Sequence, residues 1–343
     1  MKFIRILTVL AVLSMSVALA QEPKTVRIGL QASGTFSWVV FAMEYFGIDK
    51  ELGITLESET YATKQANEIA LRSGESDLVV DDFVGVAQMR SRGVPVRGVY
   101  PFSRATGGVV VPTDAGIAGI SDLEGKTIGA ASLDDKSLLI LRALAVSKYG
   151  FDPQVKSNIL AVSPPLMEEL LGKGELDAAI PYWHFVPRMT ASGQYTDLMQ
   201  VSDMLTELGL SSDLPLLIMV ARENMDPDLL KTFLRGFEET LTRMKDDDAV
   251  WDAILDNELY SLPNAALFPR VKQRWEAGLP ERWDQATIDG LVGLTNDLVE
   301  VAGSDVVGIE EIDPTTFTTE FAPSANASLA EPSQTAQQPA SQK

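Results

Sequence analysis

Along the chain, short runs rich in Val, Ile and Leu alternate with longer stretches whose apolar positions recur at helical spacing. "TVRIGL" (Thr25–Leu30) predicts a strand, "QASGT" a loop, and the segment from Phe36 to about Leu52 a helix. The series continues with a strand over Ile54–Tyr61, a helix from Lys64 to Gly74, the strand "SDLVV" and a helix from Asp82 to Gly93. After "VRGVYPF" and "GGVVVP" a second series opens with "KTIGAAS" (Lys126–Ser132) and a helix through Tyr149. It proceeds through "SNILAVS", the helix "PPLMEELLGKG", the strand "DAAIPY" and "TDLMQVS". "LPLLIMVA" (Leu214–Ala221) is a further strand, and from "PDLLKTF" to about Ala302 the pattern is helical. Strands and helices in alternation predict an α/β sheet protein.

The chain repeats itself. "SGESDLVVDD" (Ser73–Asp82) and "KGELDAAIPY" (Lys173–Tyr182) stand 100 residues apart, and the same offset lays Ile28-Gly29 on Ile128-Gly129 and Ser37 on Ser137. A glycine that stops a helix before a strand is common in α/β proteins, but several elements in one register favour duplication into two similar lobes. Val111-Pro112-Thr113 and Ser212-Asp213-Leu214 are the expected crossings between them. The first lobe would then comprise 21–112 plus 214–305, including the C-terminal helices, with 113–213 as the second. Two crossings make a hinge that opens and closes over a cleft.

Composition narrows the setting. Lys2 and Arg5, an apolar run and Ala18-x-Ala20 form a signal-peptide pattern over residues 1–20, cleaved near Ala20, which predicts export to a periplasm. The chain has no cysteine, which removes a thiol lipid anchor, disulfides, thiolate nucleophiles and Cys-based zinc sites. Without Lys2 and Arg5, 26 basic residues face 48 acidic ones, a net of −22 that repels nucleic acid and anionic lipid. The Ala-, Ser-, Pro- and Gln-rich segment 322–343 has no apolar period and is expected to be disordered. A monomer is expected.

In open α/β sheets, ligands bind beyond the carboxyl ends of the strands. That rule nominates the loops Gln31–Ser37, Val80–Phe83, Ser132–Ser137 and Pro181–Phe185, so the repeated phrase carries the chain to the cleft twice and ends differently on each wall. Ser33, Gly34 and Thr35 open one helix, and Ser132, Asp135 and Ser137 stand around the start of another. Free amides there attract anions or hydroxyl oxygens, although Thr35, Ser132 or Asp134 equally serves as a cap of its own helix. One of Asp81 and Asp82 is expected to cap the helix that follows, leaving the other for solvent or for a neutral or amine-bearing ligand. Trp38, Tyr182 and Trp183 are aromatic candidates for the cleft, with interlobe packing as their alternative role. His184, the only histidine, sits among them as a ligand contact or a hydrogen-bonded structural group. No Ser/His/Asp signature, G-x-S-x-G or Walker sequence is present, so no catalytic residue or cofactor is assigned. "KDDDAV" (Lys245–Val250) lacks the spaced ligands of a calcium loop, and Asp134-Asp135 would need partners from elsewhere to hold a cation. No metal ligand is assigned.

Four segments in order carry a resemblance: "YFGIDKELGITLE" (Tyr45–Glu57), "RGVPVRGV" (Arg92–Val99), "DLEGKTIGA" (Asp122–Ala130) and "GELDAAI" (Gly174–Ile180). Together they resemble the solute-binding proteins of ABC importers, in the nitrate/sulfonate/taurine group that also includes binders of thiamine pyrimidine precursors. The resemblance spans about residues 25–240. It implies a type II periplasmic-binding-protein fold, two α/β lobes with a central cleft, capture of a small molecule by lobe closure, and delivery to an inner-membrane permease with a cytoplasmic ATPase. It also supports Ser33, Gly34, Thr35, Asp82, Ser132 and Trp183 as ligand positions. The sequence departs from anion binders where Asp81-Asp82 stand and in the acidic "LDDKS", which argues against nitrate or a simple sulfonate. An enzyme on the same fold, a sensor-input protein and a metal-ion carrier are the alternatives.

Overall fold

The computed structural model describes residues 24–104 and 106–323; the expected signal segment 1–20 and the tail residues 324–343 lie outside them. Two five-stranded sheets are present. The first runs β2-β1-β3-β10-β4, built from β1 (Lys24–Gln31), β2 (Ile54–Tyr61), β3 (Leu78–Asp82), β4 (Val96–Ser103) and β10 (Leu217–Arg222). The second runs β7-β6-β8-β5-β9, from β5 (Gly108–Pro112), β6 (Thr127–Ala130), β7 (Asn158–Ala161), β8 (Ala178–Ile180) and β9 (Tyr195–Gln200). In each sheet the first three strands are parallel and the fourth runs against both of its neighbours. No helix among the described residues is long and apolar enough to cross a membrane.

The repeated phrase has a structural meaning in both lobes. Gly74 and Gly174 end their helices at φ 86° and 70°, a left-handed conformation that glycine adopts without Cβ strain. The next strand then enters in the same register, with Ile28 opposite Leu78 and Ile128 opposite Ala178. The Asp77 amide donates to the Arg27 carbonyl at 2.7 Å and the Asp177 amide to the Thr127 carbonyl at 2.8 Å. Each aspartate's carboxylate also accepts the backbone N–H of its neighbour, from Thr127 at 2.8 Å and from Arg27 at 3.4 Å. Gly-Glu-x-Asp is thus a helix stop joined to a strand clamp.

Two assignments differ from the sequence expectation. Val109, Val110 and Val111, placed with the first lobe, pair with β8 and β9 in the second sheet, so the change of sheet comes between the end of β4 at Ser103 and the start of β5 at Gly108 rather than at 111–113. All three are buried, and a strand covered on both faces gives the same apolar run whichever sheet owns it. The helix Gln285–Ala302, also expected in the first lobe, packs against Phe83–Ser91 of the first lobe and Lys136–Leu144 of the second. Leu291, Leu294 and Leu298 join one apolar core with Val84, Leu138 and Leu141, so this helix spans the seam between lobes.

A separate core backs the first sheet. In the helix Pro227–Asp246, Leu230, Phe233, Leu234 and Phe237 recur at helical spacing and are buried against the helix Phe36–Tyr45. Asp226 starts that helix by accepting the amides of Asp228 and Leu229, with Pro227 at the first position where a missing N–H costs nothing. Truncating Phe233 or Phe237 in such a core costs about 3–5 kcal/mol.

Candidate ligand site

The carboxyl ends of β1, β3 and β8, and the loop after β6, converge on a chamber of ≈ 70 Å³ between the lobes. A water needs about 10–15 Å³ of such space, so the chamber holds roughly five waters or one compact molecule. From the first lobe it is lined by Gln31, Gly34, Thr35, Phe36, Lys64, Asp81, Asp82 and Phe102. Gly107 at the crossing, Asp135, Lys136 and Ser137, and Tyr182, Trp183 and His184 line it as well. The two endings of the repeated phrase therefore face one space.

Most candidates read from the sequence, Gly34, Thr35, Asp81, Asp82, Asp135, Ser137, Tyr182, Trp183 and His184, come together here. Three do not line the chamber. Trp38 is buried behind it, edge-on to Trp183 and His184 with ring centres at 6.1 and 5.2 Å, and its Nε1 donates to the Leu259 carbonyl. Ser132 donates to Asp134 Oδ1 at 2.6 Å. Ser33 takes a left-handed backbone (φ 61°).

The aspartate pair divides its duties. Asp82 caps the helix Phe83–Ser91 by accepting the Gly85 amide at 2.8 Å, and its other oxygen takes the Lys64 ammonium at 2.7 Å. Burial opposes its charge, but Lys64, Lys136 and these hydrogen bonds outweigh it and hold Asp82 below the usual carboxylate range. Asp81 Oδ1 accepts the Asp82 amide at 2.7 Å and lies 3.3 Å from Lys64 Nζ, while Oδ2 is buried with no partner. Burial, with Asp82 and Glu68 adding to it against Lys64, raises Asp81 well above the usual range. Lys64 is the cation of the cluster, with Glu68 Oε1 as its third carboxylate at 3.7 Å. Desolvation works against its charge, yet Asp81, Asp82, Asp134 and Glu68 hold its pKa well above normal.

Two more polar atoms on the chamber's residues are buried without a partner: Trp183 Nε1 and His184 Nδ1. Burial pushes His184 down to about 3, so its ring is neutral at ordinary pH. The Tyr182 hydroxyl accepts from Gln31 Nε2 at 2.6 Å across the cleft, and burial, with the Asp135 charge adding to it, raises its phenol. Asp134 closes the other side, accepting Gln65 Nε2 at 2.7 Å on Oδ1 and Lys64 Nζ at 3.3 Å on its carbonyl. Asp135 caps the helix Lys136–Leu144 through the Ser137 amide at 2.8 Å. Among the described residues, no group of three or more His, Cys, Asp or Glu is placed to hold a metal ion.

Sequence reasoning missed Lys64; Gln31 and Lys136 fell inside nominated loops, and Phe102 stood among the nearby aromatics, without being singled out as ligand contacts. A signal for the lysines was present. Both occupy the first position of a helix, where the macrodipole disfavours a cation, so each needs local carboxylates to stand there.

Two α/β lobes of like topology, closed over a chamber at their strand ends, define a periplasmic-binding-protein fold of type II. A family model described as NMT1/THI5 like matches residues 44–250, and the chain belongs to that family. Among solved structures, the alkanesulfonate-binding protein SsuA of Xanthomonas axonopodis pv. citri, bound to MOPS, is similar at 18% identity and a TM-score of 0.66, over 85% of this chain and 97% of that one. A protein of Bordetella bronchiseptica RB50 is similar at 18% identity and a TM-score of 0.72, over 88% and 96%. The periplasmic aliphatic sulphonate binding protein SsuA of Escherichia coli is similar at 14% identity and a TM-score of 0.62, over 94% and 96%. At such identities the likeness is one of fold. No curated protein matches the sequence.

Proposed function

We propose that the protein is a periplasmic solute-binding protein that closes its lobes over a small polar organic molecule, neutral or amine-bearing, and presents it to an ABC permease. The observation that carries this is the set of buried, unpartnered atoms around one interlobe chamber: Asp81 Oδ2, Trp183 Nε1 and His184 Nδ1. An unsatisfied buried polar group costs about 1–3 kcal/mol, and a ligand that meets several of them recovers that cost on closure. Phe36, Phe102, Tyr182 and Trp183 supply apolar walls for its body. The sulfonate specificity named for the two SsuA proteins suits this chamber poorly, because Asp81, Asp82 and Asp135 line it. The export pattern of residues 1–20 supports the compartment.

A thermal-shift screen of amines, neutral heterocycles, vitamins and sulfonates tests this. A ligand at 100 times its Kd stabilises the folded form by about 2.7 kcal/mol. Trp183→Ala should melt as a folded protein and lose most of the ligand-induced shift. An unchanged shift in the variant removes Trp183 from the site, and a screen without any stabilising compound counts against capture.

A further inference from the structure

The acidic cluster is unbalanced. Three carboxylates lie within 4 Å of the single Lys64 ammonium: Asp82 at 2.7 Å, Asp81 at 3.3 Å and Glu68 at 3.7 Å. From the facing lobe Asp135 and Lys136 line the same space, Asp134 meets Lys64 through its carbonyl at 3.3 Å, and the uncharged Tyr182 and His184 stand beside them. Five carboxyl groups thus meet two ammonium groups, and one carboxyl oxygen, Asp81 Oδ2, is buried in the chamber wall without an N–H donor, its carboxyl standing against that of Glu68.

We infer that the ligand carries a protonated amine, and that its N–H group takes up Asp81 Oδ2 in exchange for a proton. This rests on the capture reading and specifies the ligand within it. In the empty chamber burial and the neighbouring carboxyl groups favour the protonated form of Asp81. When an ammonium enters, that O–H bond breaks, the proton passes to solvent, and the ammonium pairs with the carboxylate left behind. Protein and ligand keep all their other bonds. Lys64 does not repel the ligand outright, because its charge is already taken by Asp82 and shared with Glu68. Lys136 exerts its field on Asp82 from the second lobe, which directs a cation toward Asp81 rather than toward its neighbour. The geometry thereby separates two carboxylates of adjacent residues: Asp82 fixes the helix and Lys64, and Asp81 receives the guest.

Benzylamine, benzyl alcohol and benzoate are probes of one shape and three charges. At pH 7.5 benzylamine should raise the melting temperature while benzyl alcohol and benzoate raise it less or not at all. Calorimetry in two buffers of different ionisation enthalpy should count about one proton released per benzylamine bound, with affinity falling about tenfold per pH unit below the Asp81 transition. Asp81→Asn should lose the benzylamine shift, the proton release and the pH dependence together. The proton count on the unaltered protein needs no variant, so a poorly folding Asp81→Asn leaves the test intact. Equal or greater stabilisation by benzyl alcohol or benzoate, binding without proton release, or no response to benzylamine overturns the inference. In the first two cases capture between the lobes still stands; it falls only if the wider screen finds no compound that stabilises the protein.

Discussion

Lys64→Met isolates the interaction on which the chamber's floor depends. Methionine keeps the length and most of the apolar stem of lysine but removes the ammonium, leaving the Asp82 carboxylate buried without its counter-charge at 2.7 Å. Removing one partner of a buried pair costs about 3–5 kcal/mol. At about 2 °C per kcal/mol, the lower end of the range for chains of 150–250 residues, the melting temperature should fall by roughly 6–10 °C. The pH dependence is the sharper check. Asp82 has a folded pKa below its unfolded one, so its pairing stabilises the fold above about pH 4 and is lost as pH falls through the folded value. Lys64 has a raised folded pKa, so its share is present below about pH 10.4 and is lost only as pH rises through the folded value. Without the ammonium, burial lets Asp82 take a proton as pH falls, so the penalty of Lys64→Met should be full at pH 7.5 and smaller at pH 4, measured by denaturant unfolding at each. Adding Asp82→Asn should cost less than the two single changes summed, because they remove the same pair. A penalty equal at both pH values, or below about 1 kcal/mol at pH 7.5, would show that the ammonium does not balance these carboxylates.

Tyr182→Phe removes the cross-cleft bond from Gln31 at 2.6 Å; at about 0.5–1.5 kcal/mol for a hydrogen bond, closure and ligand affinity should weaken roughly two- to tenfold, read by calorimetry. The sole histidine, His184, has its pKa pushed down to about 3, so its ring protons should show no titration between pH 5 and 8 by NMR. Since the unfolded chain binds that proton near pH 6.5, the residue lowers stability as pH falls below that value. Gly107→Ala would put a Cβ 2.4 Å from the Pro181 carbonyl oxygen; overpacking of this kind costs about 1–3 kcal/mol, and the displaced Pro181–His184 loop should lose ligand affinity in calorimetry more than the protein loses melting temperature.

Much of the architecture was legible because it is local. The helix stops at Gly74 and Gly174, and the strand clamps at Asp77 and Asp177, follow the sequence within a few residues, and their recurrence 100 positions apart announced two lobes. The chamber's lining was legible through the rule for strand ends, which brings Asp81, Asp82, Tyr182, Trp183 and His184 to one space. Lys64 was not found, because its carboxylates at 81 and 82 lie a helix and a strand away and only the sheet order places them together. Trp38 misled because two aromatics two positions apart on one helix face different ways: Phe36 lines the chamber, and Trp38 fills the core behind it. The ownership of Val109–Val111 was undecidable from an apolar run buried on both faces.

The fourth strands have a consequence for the order of assembly. Every strand of the second sheet lies within residues 108–200, an uninterrupted stretch able to complete itself as soon as it emerges. The first sheet has no such autonomy, because β4 joins it through β10, which follows the whole of the other lobe. Until Leu217–Arg222 arrives, β3 and β4 carry open edges, the kind of surface on which incomplete chains aggregate. The half that is synthesised first must therefore be finished last.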